Sequence, residues 1–446
     1  MPEYGSAAHR QLIPILRWLF SAEALAPEQV EFRARTLVAD MIGCILAGFT
    51  AAPVAQYARD LAELSAGEFP LGVARLTPLA AAQPMAIAAT WDEACEGLPR
   101  AHGRPGVPVV PTALAMGFAR DATLGEVLKS VVTGYEVGAR MGEWLRNKPG
   151  MHVDGGWPAL GVAAAATRML GRSADDALAA IETVACQLPV GLYAPVRAGA
   201  TARNSYPAHT TALGMIGATS VSAGMDAPDD GLSGHAAIAL GYDPDLVSFA
   251  PAGEYLLLQG YLKSFAGAKH IAYAAMGALQ IRNRFYTRLA DITRIQVLTY
   301  PEAATYAANR APRTPIAAQF SVSFGAAAAL RFGDLSPQVY REPRFSEPGL
   351  RKLEGLVEVG VDETVATDVH RGAKLIIHLG DERHEATVHR MKGDWDDPFT
   401  GAECRDKLVR LAGPNVGTDR ARSVADAILE GTLDQPIRAI WQRLWS

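Results

Sequence analysis

Residues 159–170, Ala-Leu-Gly-Val-Ala-Ala-Ala-Ala-Thr-Arg-Met-Leu, read as a helix with almost no side-chain bulk. Such a helix cannot fill the space around itself, so a neighbouring helix must approach its backbone closely. The requirement commits this part of the chain to a close-packed helical assembly. A polar, glycine-rich turn, Met151-His-Val-Asp-Gly-Gly-Trp157, runs into the helix and delivers His152 near its start. Unpaired N–H groups and the dipole at a helix start favour an anion, and an imidazole there can bind or protonate a carboxylate. A polar loop residue ahead of a core helix accounts for His152 equally well.

The helical pattern extends from about residue 8 to 265. Candidate helices cover 32–46, 78–89, 110–119, 124–145, 159–170, 174–186 and 210–223, with turn residues at 172–176 and 227–231. The period then changes. Segments 292–299, 356–361, 373–379 and 384–389 are rich in β-branched residues and partly alternate apolar with polar, with Gly380-Asp381 suited to a hairpin loop. Helical periodicity returns after Lys392-Gly393-Asp394 and ends in the amphipathic stretch 436–445. The expected fold is mainly α with an inserted α+β domain: an all-helical domain of 1–266 and 398–446, and a smaller α+β domain of 267–397. Two domains also suit 446 residues, more than one core usually serves.

Charge and composition narrow the partners. A formal charge of −5, with Lys and Arg dispersed and no aromatic-basic stripe, gives nucleic acid no purchase. No eighteen-residue apolar run occurs, and Arg168 interrupts the Ala-rich helix, so no membrane span is expected. The first residues lack a charged leader followed by an apolar run. Cys44, Cys95, Cys186 and Cys404 are scattered without a CxxC pair, which fits a reducing cytoplasm and four buried thiols. No metal site or cofactor is expected.

Three polar clusters carry candidate chemistry. Asp92, in Trp91-Asp-Glu-Ala-Cys-Glu96, precedes His102, in Arg100-Ala-His-Gly-Arg104; the two could share a proton, and by spacing alone a solvated acidic loop is the better fit. Arg203, in Ala202-Arg-Asn-Ser-Tyr-Pro-Ala-His209, offers a bidentate carboxylate clamp, and a surface arginine capping a loop fits equally well. Lys263, Lys269 and His270 gather at the domain junction, where clefts form, although a solvated charge run suits Lys269 and His270 at least as well. No phosphate loop, HExxH motif or nucleophile elbow is present. His370, His378, His384 and His389 fall on expected strands or their ends and read as structural or exposed.

Several segments, taken in order, resemble the MmgE/PrpD family, which includes 2-methylcitrate dehydratase, cis-aconitate decarboxylase and iminodisuccinate epimerase. They are Asp40-Met-Ile-Gly-Cys-Ile-Leu-Ala-Gly48, Asp92 with His102, Val109-Val-Pro-Thr-Ala-Leu-Ala115, Gly134-Tyr-Glu-Val-Gly138 and His152 before the Ala-rich helix. Lys263, Ala318-Gln-Phe-Ser321 and Met391-Lys-Gly-Asp394 follow. The resemblance runs along nearly the whole chain. It implies a homodimer, with Asp92, His102 and His152 as catalytic residues and Lys263, Arg203, Tyr206 and His209 as substrate-binding ones. Arg203 stands where the family commonly has lysine and Tyr206 where it commonly has histidine. Ala94-Cys95 replaces a usual second aspartate, and no histidine is in register soon after Lys263.

These departures bear on the reaction. Dehydrating a hydroxy-tricarboxylate takes carboxylate clamps, a base for a weakly acidic C–H and an acid for the hydroxyl. Guanidinium stays charged, so Arg203 preserves function if the family's lysine binds a carboxylate, and changes it if that lysine moves a proton. The expected activity is a cofactor-independent lyase acting on a small di- or tricarboxylate, dehydratase-like. The alternatives are an isomerase of the iminodisuccinate-epimerase kind, a cis-aconitate-type decarboxylase, and a catalytically silent binding homologue.

Overall fold

In a computed structural model, which describes residues 5–365 and 371–445, the chain is mostly helical with one small mixed sheet. The first half holds α1 (Ala7–Phe20), α2 (Glu28–Gly48), α3 (Ala52–Leu64), a short hairpin of β1 (Ala66–Leu71) and β2 (Ala74–Leu76), α4 (Pro78–Trp91) and α5 (Gly106–Ala119). It continues through α6 (Leu124–Trp144), α7 (Pro158–Met169), α8 (Ala174–Ala185) and α9 (Tyr206–Ser222). All seven expected helices are present, with ends that move by a few residues.

The close approach required by the Ala-rich helix is found. Helix α7 lies between α6 and α9. A Cβ on Gly161 would stand 2.4 Å from the Gly134 carbonyl oxygen, and one on Gly214 of α9 would stand 2.6 Å from that of Ala159. Neither position admits a side chain, which explains the small residues on all three faces.

In the middle of α6, Glu136 and Arg140 form a fully buried ion pair that fastens the connection leaving this bundle. Arg140 donates to the carbonyls of Ala250, Pro251 and Glu254, while Glu136 accepts from the N–H groups of Leu256 and Leu257. The chain is thereby led to 261–270, from which Tyr261, Lys263, Lys269 and His270 emerge. Helix α10 (Lys269–Arg282) follows and packs on the sheet.

The sheet has the order β4-β3-β5-β6, formed by β3 (Ile292–Thr299), β4 (Val357–Val361), β5 (Ala373–Leu379) and β6 (Glu382–Val388). The β3–β4 pair is parallel and the other two are antiparallel. Leu379 pairs with Glu382 across a two-residue turn, where Gly380 takes φ +58° without a steric cost. Helix α11 (Val322–Phe332) packs beside α10. The last helices, α12 (Gly401–Val416), α13 (Thr418–Glu430) and α14 (Ile437–Gln442), return to the first bundle and pack on α2 and α5.

Among the described residues no single helix is long and apolar enough to cross a membrane; α2 and α3 pass by length and composition only as a pair bent by 94°. Three cysteines are buried as expected, whereas Cys186, just past the end of α8, is exposed. His378 and His384 sit on β5 and β6, and His389 is exposed beyond β6. His370 lies outside the described residues.

Candidate active site

The loop between α4 and α5 forms one wall of a cavity. Its shape is set by pairing: Gly97 and Tyr261 exchange backbone hydrogen bonds of 3.0 and 2.8 Å, and Glu96 accepts from the Gly106 N–H at 2.8 Å. Glu93 and His102 both take positive φ, 51° and 49°, so the loop turns sharply at each and presents both side chains to the cavity. The turn before α7 adds His152, the turn Thr201–Ser205 before α9 adds Arg203, and the junction adds Lys263, Lys269 and His270. From the sheet-bearing half come Glu302, Phe320 and Arg371, and together these residues enclose about 170 Å³.

The cavity is rich in cations. Arg104, Arg203, Lys263, Lys269 and Arg371 line it against two carboxylates, Glu93 and Glu302. Glu93 is the hub: Arg104 (2.6 Å) and Arg203 donate to its Oε1, and Lys263 donates to its Oε2 at 3.0 Å and its carbonyl at 2.8 Å. Burial alone would raise the Glu93 carboxyl, but the three cations hold it well below the usual carboxylate range. Arg104 also donates to Asp154, which stays ionised by the same balance. Lys269 pairs with Asp394, and Arg371 with Glu302 at 2.6 Å. Arg203 is enclosed; its Nη1 lies 3.7 Å from Asp154 Oδ2, and neither Nε nor Nη1 has a hydrogen-bond acceptor among the described residues. A buried guanidinium with two unused donors is costly until an anion supplies acceptors.

The histidines stay neutral. Burial, with Arg203 and Arg104 adding to it against Asp154, brings His152 down to about 4. Its Nδ1 accepts from the Asp154 N–H at 3.2 Å, so its proton resides on Nε2. His270 is lowered to about 3 by burial and by Arg371 and Lys263, and its Nδ1 lies 2.6 Å from the Tyr300 hydroxyl. His102 is exposed at the cavity rim, and partial desolvation, with Arg146 adding to it, lowers it. Its ring has no hydrogen-bond partner among the described residues.

Of the residues expected from sequence, His102, His152, Arg203 and Lys263 meet in this cavity, joined by Lys269 and His270. Three do not line it. Asp92 turns away from it: its carboxylate accepts from Arg341 Nη2 at 2.9 and 3.0 Å, which leaves the cavity to the next residue, Glu93. Tyr206 donates its hydroxyl to the Leu192 carbonyl at 3.0 Å and sets its ring edge-on to His152, centroids 5.6 Å apart, so it backs the imidazole rather than meeting a ligand. His209 is exposed on α9. The anion-favouring start of α7 is likewise set back, since His152 caps the separate turn Val153–Gly155. Sequence reasoning missed Glu93, Arg104, Asp154, Glu302, Phe320 and Arg371. Glu93 and Arg104 stand in the two clusters already singled out for Asp92 and His102, and Asp154 in the turn that carries His152.

Fold and site define a two-part, mainly helical protein whose halves jointly enclose a cationic, imidazole-bearing cavity. Family models agree with that architecture along most of the chain: the MmgE/PrpD N-terminal domain matches residues 20–242 and the MmgE/PrpD C-terminal domain residues 265–431. The chain belongs to the MmgE/PrpD family. No curated protein matches it significantly.

Proposed function

We propose that the protein is a cofactor-independent lyase acting on a small di- or tricarboxylate, removing a proton next to a carboxylate and eliminating the adjacent hydroxyl, as 2-methylcitrate dehydratase does. The observation that carries this reading is one cavity holding five cations beside three neutral imidazoles. Substrate carboxylates supply the acceptors that Arg203 lacks. With them in place the cavity's positive potential falls, and the proton affinity of the imidazoles rises. His102, neutral and without a hydrogen-bond partner among the described residues, takes the proton from carbon. Once the substrate carboxylates have raised its proton affinity, His152 takes up a proton from solvent and, as imidazolium with Asp154 Oδ2 3.9 Å from Nδ1, gives its Nε2 proton to the departing hydroxyl. The C–O bond breaks, and the hydroxyl leaves as water with that proton.

One observation favours a second reading. His152 arrives from the turn before α7 and His270 from α10, so neutral imidazoles approach from both halves of the molecule. Proton exchange on two faces of one carbon, as in an epimerase, uses that arrangement without an acid for a leaving group. Incubating the protein with hydroxy-, unsaturated and imino-dicarboxylates in deuterated water, followed by NMR, separates the readings. An alkene signal selects the lyase, deuterium incorporation without elimination the isomerase, and loss of carbon dioxide from an unsaturated tricarboxylate the decarboxylase. No change in any compound leaves a binding homologue.

A homodimer in the cytoplasm, and the division into 1–266 with 398–446 against 267–397, belong to the same proposal. Sedimentation and limited proteolysis test the dimer and the division.

A further inference from the structure

We propose that the substrate carries an apolar substituent longer than a methyl group, and that a chamber walled by Tyr193, Tyr306 and Phe320 receives it. The inference rests on the carboxylate reading above and specifies the rest of the molecule to be bound.

The cationic cavity, at about 170 Å³, is smaller than the roughly 300–1,000 Å³ usual for ligand pockets. It is not closed. His102, His152, Val153, His270, Glu302 and Phe320 also border an outer chamber of about 660 Å³. That chamber shares Tyr193, Tyr306 and Phe320 with a side chamber of about 460 Å³. Phe320 thus borders all three spaces, and the Arg203 guanidinium carbon lies 5.5 Å from its ring centroid. A group extending from a carbon held near Arg203 passes along this ring.

What it meets along that ring is mostly aromatic and aliphatic. The Tyr193 and Tyr306 rings touch edge to face at 5.8 Å; Tyr193 stacks on His152 at 6.0 Å and Tyr306 on His270 at 6.3 Å. In the side chamber Val196, Ala308 and Ala317 add to the apolar wall beside Thr305, Asn309 and Arg197, while Arg146, Asn147 and Lys148 also line the outer chamber. Tyr306 is 47% exposed, an aromatic surface that a substituent would cover. Carboxylates gain nothing from such walls, while each methylene moved onto them from water is worth about fourfold in affinity.

The test uses malate and its 2-methyl, 2-ethyl, 2-propyl and 2-butyl derivatives with the whole protein, following elimination or exchange in deuterated water by NMR. The expected result is a kcat/KM that rises about fourfold per methylene through propyl. Ala308→Trp, and separately Val196→Phe, should cut the ratio of butyl to unsubstituted kcat/KM at least tenfold. A ratio that is flat or falls from the first methylene, or that neither variant alters, overturns the inference and leaves the carboxylate reading standing. Absence of elimination and exchange with every member overturns that reading, and the inference falls with it.

Discussion

Replacing His152 by glutamine tests whether the imidazole is held neutral. An unfolded histidine titrates near 6.5, whereas His152 in the folded protein is lowered to about 4, chiefly by burial. Below pH 6.5 the unfolded chain therefore binds a proton that the folded one refuses. The stability associated with neutral burial is complete above pH 6.5 and is lost as the pH falls toward 4. At 1.36 kcal/mol per pKa unit, the loss reaches roughly 2–3 kcal/mol by pH 4.5. Glutamine keeps much of the shape but cannot titrate. The stability advantage of wild type over His152→Gln, read from urea unfolding at pH 7 and 4.5, should shrink by about that amount. The depressed His270 is common to both proteins and cancels. Parallel stability profiles would refute the argument. The same variant should lose roughly 10²–10⁴-fold in turnover with substrate affinity much less changed.

Asp92→Asn should lower stability by about 1 kcal/mol, because its amide oxygen still accepts from the partly exposed Arg341, and cost less than tenfold in turnover; a loss of turnover beyond about a hundredfold would return Asp92 to the catalytic set. Arg203→Lys keeps the charge but loses the planar fork, so KM should rise more than kcat falls; a higher kcat on a hydroxy-tricarboxylate would make lysine at this position a proton carrier. Gly161→Ala places a methyl 2.4 Å from the Gly134 oxygen and should destabilise by about 1–3 kcal/mol or more, while an unchanged melting temperature would deny the close helix approach. Prolonged chelation should leave turnover intact; loss restored by one added metal would contradict a metal-independent reaction.

The sequence was most legible where geometry allows one residue type. Gly134, Gly161 and Gly214 sit at backbone crossings, so the Ala-rich helix announced its neighbours. Strands β3 and β5 end where their β-branched runs end. The hairpin β1–β2 is short, its second strand three residues long, and no alternation marked it. In the site, spacing and resemblance reached His102, His152, Arg203 and Lys263. They could not choose between Asp92 and Glu93, because the chain leaves the helix there and the positive φ at Glu93 decides which carboxylate faces inward. Tyr206 and His209 were similarly open, since α9 is built of small residues on every face and carries no pattern to fix its phase. Glu302 and Arg371 come from distant parts of the chain, and only the tertiary fold brings them to the helical half.

The most direct measurement is the structure of the protein with a slowly reacting tricarboxylate bound at a concentration near its KM. The account requires one carboxylate within hydrogen-bond distance of Arg203 or Lys263, with the neighbouring carbon between the rings of His102 and His152. A ligand bound outside this cavity, or one whose carboxylates avoid Arg203 and Lys263 alike, would contradict it.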